Sequence, residues 1–127
     1  MMKLTKKRKK EIKQALLNYK ANKELASVYD ELISRYKLLK KEQGGILYEE
    51  QKSELLECNR VRLNLYRKVE TIDKCIACLD NVDQCIVIRY YFDKWSITKI
   101  SQELHYSEQR IFSRLVYARS ILDKFII

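Results

Sequence analysis

From Ile12 the apolar side chains recur at Ile12, Leu16 and Tyr19, and then at Leu25, Tyr29, Leu32, Tyr36 and Leu39. Steps of four and three place such residues along one face of an α-helix. The pattern predicts a first helix that runs to about Lys41. The six-residue step from Tyr19 to Leu25 breaks strict heptad spacing, which favours an amphipathic helix packed on a partner over a continuous coiled coil. Gly44 and Gly45 are the only glycines and the chain has no proline, so this pair is what ends the helix. Beyond it, Glu49 and Glu50 suit the positive end of a second helix that starts near Tyr48. That helix carries Leu56, Leu63, Tyr66, Val69, Ile72, Ile76 and Leu79 on its apolar stripe. Two long helices joined by a short glycine turn predict an antiparallel hairpin. Its tyrosines stand at helical spacing and read as packing groups, not as a platform for stacked bases.

After Leu79 the pattern shortens. Asp80 or Asn81 caps a helix over Val82–Phe92, Asp93-Lys94-Trp95 form a link, Ser96 caps Ile97–Leu104, and Ser107 caps a last helix from Glu108 to about Lys124. Only His105, Tyr106 and Ser107 separate the last two, the length of the turn in a helix-turn-helix. Ile100 and Leu104 are placed to meet Ile111, Leu115, Ala118, Leu122 and Phe125, with Tyr106 in the turn, small Ser101 at the closest approach, and Trp95 with Ile86-Val87-Ile88 closing the core. The expected fold is all-α, with residues 1–80 forming a basic arm and hairpin and residues 81–127 a helix-turn-helix domain. A plain three-helix bundle satisfies the same apolar pattern.

Charge adds a partner. The 127 residues carry a net charge of +9, which favours a polyanion and nucleic acid first of all. Residues 1–43 hold 13 basic and 5 acidic side chains, residues 44–80 hold 6 and 7, and residues 81–127 hold 7 and 5. Most of the excess therefore lies far from the best DNA-reading pattern. The block from Lys3 to Lys13 has seven Lys or Arg against one Glu; it reads as a basic arm, and a solvated first helical turn fits the block equally. Lys6, Lys7, Arg8, Lys9 and Lys10 are its phosphate-contact candidates. No apolar run is long enough to span a membrane and no apolar stretch follows the basic start, so a soluble, cytoplasmic protein without a secretory signal is expected. Cys58, Cys75, Cys78 and Cys85 fall inside helical patterns and are expected as core or boundary thiols, not disulfides.

The stretch Leu79-Asp80-Asn81-Val82-Asp83-Gln84-Cys85-Ile86-Val87-Ile88-Arg89-Tyr90-Tyr91-Phe92, followed by Trp95-Ser96-Ile97-Thr98-Lys99-Ile100-Ser101-Gln102-Glu103-Leu104-His105-Tyr106-Ser107-Glu108-Gln109-Arg110-Ile111, resembles region four of bacterial sigma factors. With a hairpin in front, the chain resembles the small sigma-like activators of phages and prophages, the ArpU and RinA type; over the hairpin the likeness is one of architecture. The resemblance implies that the last helix enters the major groove, with Glu108, Gln109, Arg110, Ser113, Arg114 and Tyr117 toward base edges. It also implies that Thr98, Lys99 and Arg119 hold phosphates. Sigma factors usually carry basic residues at the positions of Glu108 and Phe112, so the ordinary minus-35 hexamer is not the expected target, and an acid or glycine is frequent where His105 stands. A polymerase contact near Arg89 to Lys94 is implied by the resemblance alone.

Double-stranded DNA is thus the expected partner, with RNA polymerase and a second copy of the chain as further candidates. The function expected is sequence-specific transcriptional regulation. Two rivals are an adaptor that binds polymerase or sigma factor, favoured by the modest excess of base in residues 81–127, and a phage DNA-packaging accessory protein. No enzyme, cofactor or metal is expected. Cys75 and Cys78 lie on one predicted helix with no second tight pair, and His105 has no nucleophile and orienting acid beside it.

Overall fold

The protein is all-α. The structure, a computed structural model, describes residues 4–126; Lys3 of the basic block lies outside them. In chain order the elements are α1 (Lys6–Glu42), α2 (Glu49–Ala77), α3 (Asn81–Val87), a π-helical turn (Ile88–Phe92), α4 (Ile97–Leu104) and α5 (Glu108–Phe125). The described chain separates into two compact units. One combines the N-terminal stretch through Tyr19 with the segment from Glu70 onward, and the other is Lys20–Val69.

Within Lys20–Val69 the two helices run antiparallel. Asp30 accepts from Arg62 and Tyr66, Tyr36 donates to Glu54, and Gln43 pairs with Gln51 at 3.0 Å, so residue numbers climb on one helix as they fall on the other. Gly44 and Gly45 take φ of 76° and 89°, and the Gly45 N–H reaches the Lys40 carbonyl at 2.8 Å. A left-handed backbone at a helix end suits glycine because no Cβ meets the following carbonyl. Gln51, in the first turn of α2, accepts from the Tyr48 N–H at 2.9 Å and so satisfies a donor the helix cannot.

The buried line differs from the expected stripe. Ala26 and Ile33 are buried, whereas Leu25 is 45% exposed and Leu32 half-buried. On α2, Leu65 is buried and Leu55 half-buried, while Leu63 and Leu56 are exposed. Leu25, Leu32 and Leu56 each adjoin the inward position and lie about 100° round the helix from it, and Leu63 stands two positions before buried Leu65. Counted through half-buried Asn22 and then Ala26, the spacing continues in threes and fours, and the six-residue break vanishes.

The second unit closes on Ile12 and Leu16 of α1, Ile72 and Cys75 of α2, Leu79, Ile86, Val87 and Tyr91, Ile100 of α4, and Ile111, Leu115, Ala118, Leu122 and Ile126. Its boundary therefore does not fall at residue 80: the start of α1 and the end of α2 supply part of this core. Phe125, expected inside, is 39% exposed, and Ile126 and partly buried Ile121 pack there instead. Cys75 is buried and Cys78 exposed, and burial pushes the Cys75 thiol up to about 11.

The expected basic arm is helical from Lys6 onward, with the Thr5 hydroxyl accepting from the Arg8 N–H at 3.1 Å. Arg8 is not a free cation. Its guanidinium pairs with the Asp123 carboxylate and donates to the carbonyls of Asp123, at 3.0 Å, and Ile126. A cation on the last carbonyls of α5 opposes the negative end of that helix. Lys6, Lys7, Lys9 and Lys10 are exposed.

Candidate nucleic-acid interface

Three side-chain caps place the C-terminal helices. The Asp80 carboxylate accepts from the Asp83 N–H at 2.9 Å, the Ser96 hydroxyl from the Lys99 N–H at 3.1 Å, and the Ser107 hydroxyl from the Arg110 N–H at 3.1 Å. Each satisfies a donor that has no carbonyl within its own helix. Between α4 and α5 the chain reverses over His105, which adopts φ of 59° in the left-handed region, with its N–H on the Ser101 carbonyl. Tyr106 follows, half-buried against the core.

The face of α5 formed by Ile111, Leu115, Ala118 and Leu122 is fully buried. The opposite side therefore carries Gln109, Ser113 and Tyr117 at steps of four, with Arg110 alongside, and all are exposed. Gln109 and Ser113 make no side-chain hydrogen bond among the described residues. The Arg110 guanidinium lies 4.2 Å over the Tyr106 ring, which orients a cation beside the start of α5.

Arg114, expected at a base edge, is engaged within the fold. Its Nε and one terminal nitrogen form a fork on the Asp83 carboxylate at 2.8 and 2.7 Å, and the same terminal nitrogen reaches Asp80 at 2.8 Å. Asp83 is 1% exposed. This is the two-pronged geometry that suits guanidinium against carboxylate, and it fastens α5 to the start of α3. The pairing with Asp83 holds the Arg114 pKa above its ordinary value.

Two phosphate candidates are also engaged. Thr98 donates its hydroxyl to Glu108, itself a base-contact candidate, and so joins the first turns of α4 and α5. Arg119 donates from Nε to the Tyr91 hydroxyl at 2.7 Å. Burial raises the Tyr91 pKa, with the Arg119 contact acting against it. Lys99 remains on the surface, its ammonium 4.0 Å above the Trp95 ring, and Arg89 approaches the same ring at 4.6 Å. Trp95 is held there by the π-helical turn. The Asp93 N–H reaches back five residues to Ile88 and the Trp95 N–H six to Arg89, with Lys94 in the left-handed region at φ 58°.

Two residues of the outward side escaped the sequence reading as contact candidates. Phe112 and Val116 are 52% and 45% exposed. Helical spacing from Gln109 would have found both; attention to polar side chains passed over them. In comparison with known proteins, the chain matches no family model, no curated protein and no solved structure, so the function of this face rests on its own geometry.

Proposed function

We propose that the chain is a sequence-specific DNA-binding transcriptional regulator of the phage or prophage type, in which α4, the His105 turn and α5 act as a helix-turn-helix resembling sigma region four. One observation carries the reading: the start of α5 presents Gln109, Arg110 and Ser113 outward, and Gln109 and Ser113 make no side-chain hydrogen bond among the described residues. Glutamine suits the adenine edge, arginine the guanine edge, and serine either. Glu108 and Tyr117 flank this set, while Arg114 supports it from behind through Asp83. Lys99 and the exposed Lys6, Lys7, Lys9 and Lys10 supply cations for phosphates, which position the protein without reading sequence.

The test is selection of bound sequences from a random duplex pool at moderate salt with excess competitor. One enriched motif, single or as a spaced repeat, supports the reading, and a repeat about one helical turn apart indicates a dimer. Binding without enrichment contradicts it. An RNA polymerase adaptor is the second reading, favoured because Arg8, Arg114 and Arg119 are all occupied within the fold, which leaves fewer cations for phosphate. Capture of purified polymerase in the absence of DNA, with no motif selected, supports the adaptor.

A further inference from the structure

Polar chemistry leaves part of the α5 surface unexplained. Phe112 and Val116 are 52% and 45% exposed, although the same helix buries Ile111, Leu115, Ala118 and Leu122 completely. They stand four residues apart, so their side chains are neighbours on the helix surface. Gln109 precedes Phe112 by one turn and Ser113 adjoins it, both exposed. The apolar pair thus lies beside Gln109, within the set of side chains assigned to base edges.

Single exposed apolar residues are ordinary on protein surfaces. An adjacent pair beside an exposed glutamine on one helix presents a more specific chemistry. Among the base edges of the major groove, the one apolar group is the 5-methyl of thymine, and phenylalanine is among the side chains that meet it. The neighbouring Gln109 amide has the donor and acceptor that an adenine edge requires.

We propose that Phe112, with Val116 beside it, reads the thymine methyl group, so that the target of this protein contains an A·T step read jointly by Gln109 and Phe112. The inference rests on the DNA-binding reading above and gives it a chemical specificity. The contact involves no hydrogen bond and no charge. Its contribution comes from removing a methyl group and a phenyl edge from water together.

Deoxyuridine isolates that contact, because it lacks only the methyl and keeps every hydrogen-bonding group of thymine. A duplex bearing the selected motif is prepared with each thymine replaced in turn, and the full-length wild type and Phe112→Ala are titrated against the set at one salt concentration. At one or two positions the wild type should bind the uracil duplex about fourfold more weakly, the effect of one methyl-sized group left unburied. Phe112→Ala should bind thymine and uracil duplexes equally there.

A selected motif without thymine, or uracil tolerated by the wild type at every position, overturns the proposal. So does an unchanged uracil penalty in Phe112→Ala. A variant that loses self-association in sedimentation while keeping its thymine preference assigns this face to a second copy of the chain instead. These outcomes all occur with a motif in hand, whereas failure to select any motif overturns the DNA-binding reading itself. The deoxyuridine arm on the wild type needs no variant, so it can overturn the proposal even if Phe112→Ala folds poorly. Phe112→Leu, which keeps an apolar side chain, then carries the assignment: it should reduce the uracil penalty, and an unchanged penalty overturns the proposal.

Discussion

Removing the Arg114 guanidinium would leave the Asp83 carboxylate, 1% exposed, beside Asp80 with no cation against it. Breaking a buried pair from one side costs more than the pair contributes, since the remaining charge stays desolvated. Arg114 itself keeps about a third of its side chain in water, so Arg114→Ala should lower stability in urea by about 2–3 kcal/mol. Asp83→Asn in the same background should recover part of that loss. A change below about 0.5 kcal/mol would mean that the pair holds nothing in place. The residue type was legible in the sequence, because arginine near the start of a helix after a serine cap is chemically apt for DNA. Its partner was not, since Asp83 lies 31 positions away and comes within reach only when α3 and α5 pack. Thr98 and Glu108, ten positions apart across a turn, were hidden for the same reason.

Among the elements, the hairpin carries a pH signature. Hydrogen bonding from Tyr66, and then from Arg62, holds the Asp30 carboxyl below its ordinary 3.8. A depressed folded pKa gives stability that is present above the ordinary value and lost as pH falls through the folded one. Acid titration followed by circular dichroism should therefore show stability falling below pH about 4, with a smaller loss in Asp30→Asn; identical acid limbs would contradict the assignment. At the alkaline end, burial raises Tyr19 to about 12, and the hydrogen bond to Glu54 raises Tyr36 to about 12. Raised pKa values give stability that is complete below the ordinary 10 and lost as pH rises through about 12. Tyrosinate absorbance should accordingly rise in two phases, the later one coinciding with loss of helix, whereas a single phase near 10 would contradict it. The helices and their caps at Asp80, Ser96 and Ser107 were legible, because a capping oxygen just before an apolar period is a local signal. The π-helical turn was not, because its five-residue bonding follows from how Tyr91 and Trp95 pack and leaves no period in the sequence.

At the scale of the molecule, the C-terminal unit is not built from C-terminal residues alone. Ile12, Leu16, Ile72, Cys75 and Leu79 complete its core, and Arg8 holds the end of α5. A fragment of residues 81–127 should therefore lack a cooperative unfolding transition, and Leu16→Ala in the whole chain should cost about 2–5 kcal/mol. A fragment that unfolds cooperatively would show this core to be dispensable. The sequence pattern placed a boundary near residue 80 because periodicity reports which face of a helix is apolar, not which distant helix covers it. The Lys6–Lys10 block misled in the same way: its charge was legible, and the ion pair that fixes Arg8 was not.

Selection from a random pool with Gln109→Ala beside the wild type would show whether the outward side of α5 reads duplex DNA base by base. Gln109 makes no side-chain hydrogen bond among the described residues, so its loss should leave the fold intact. The wild type should enrich one motif, and the variant the same motif with preference relaxed at a single position, a loss of about 1–3 kcal/mol on the parent site. An identical motif from both proteins, or none from either, would mean that this side of α5 does not read bases.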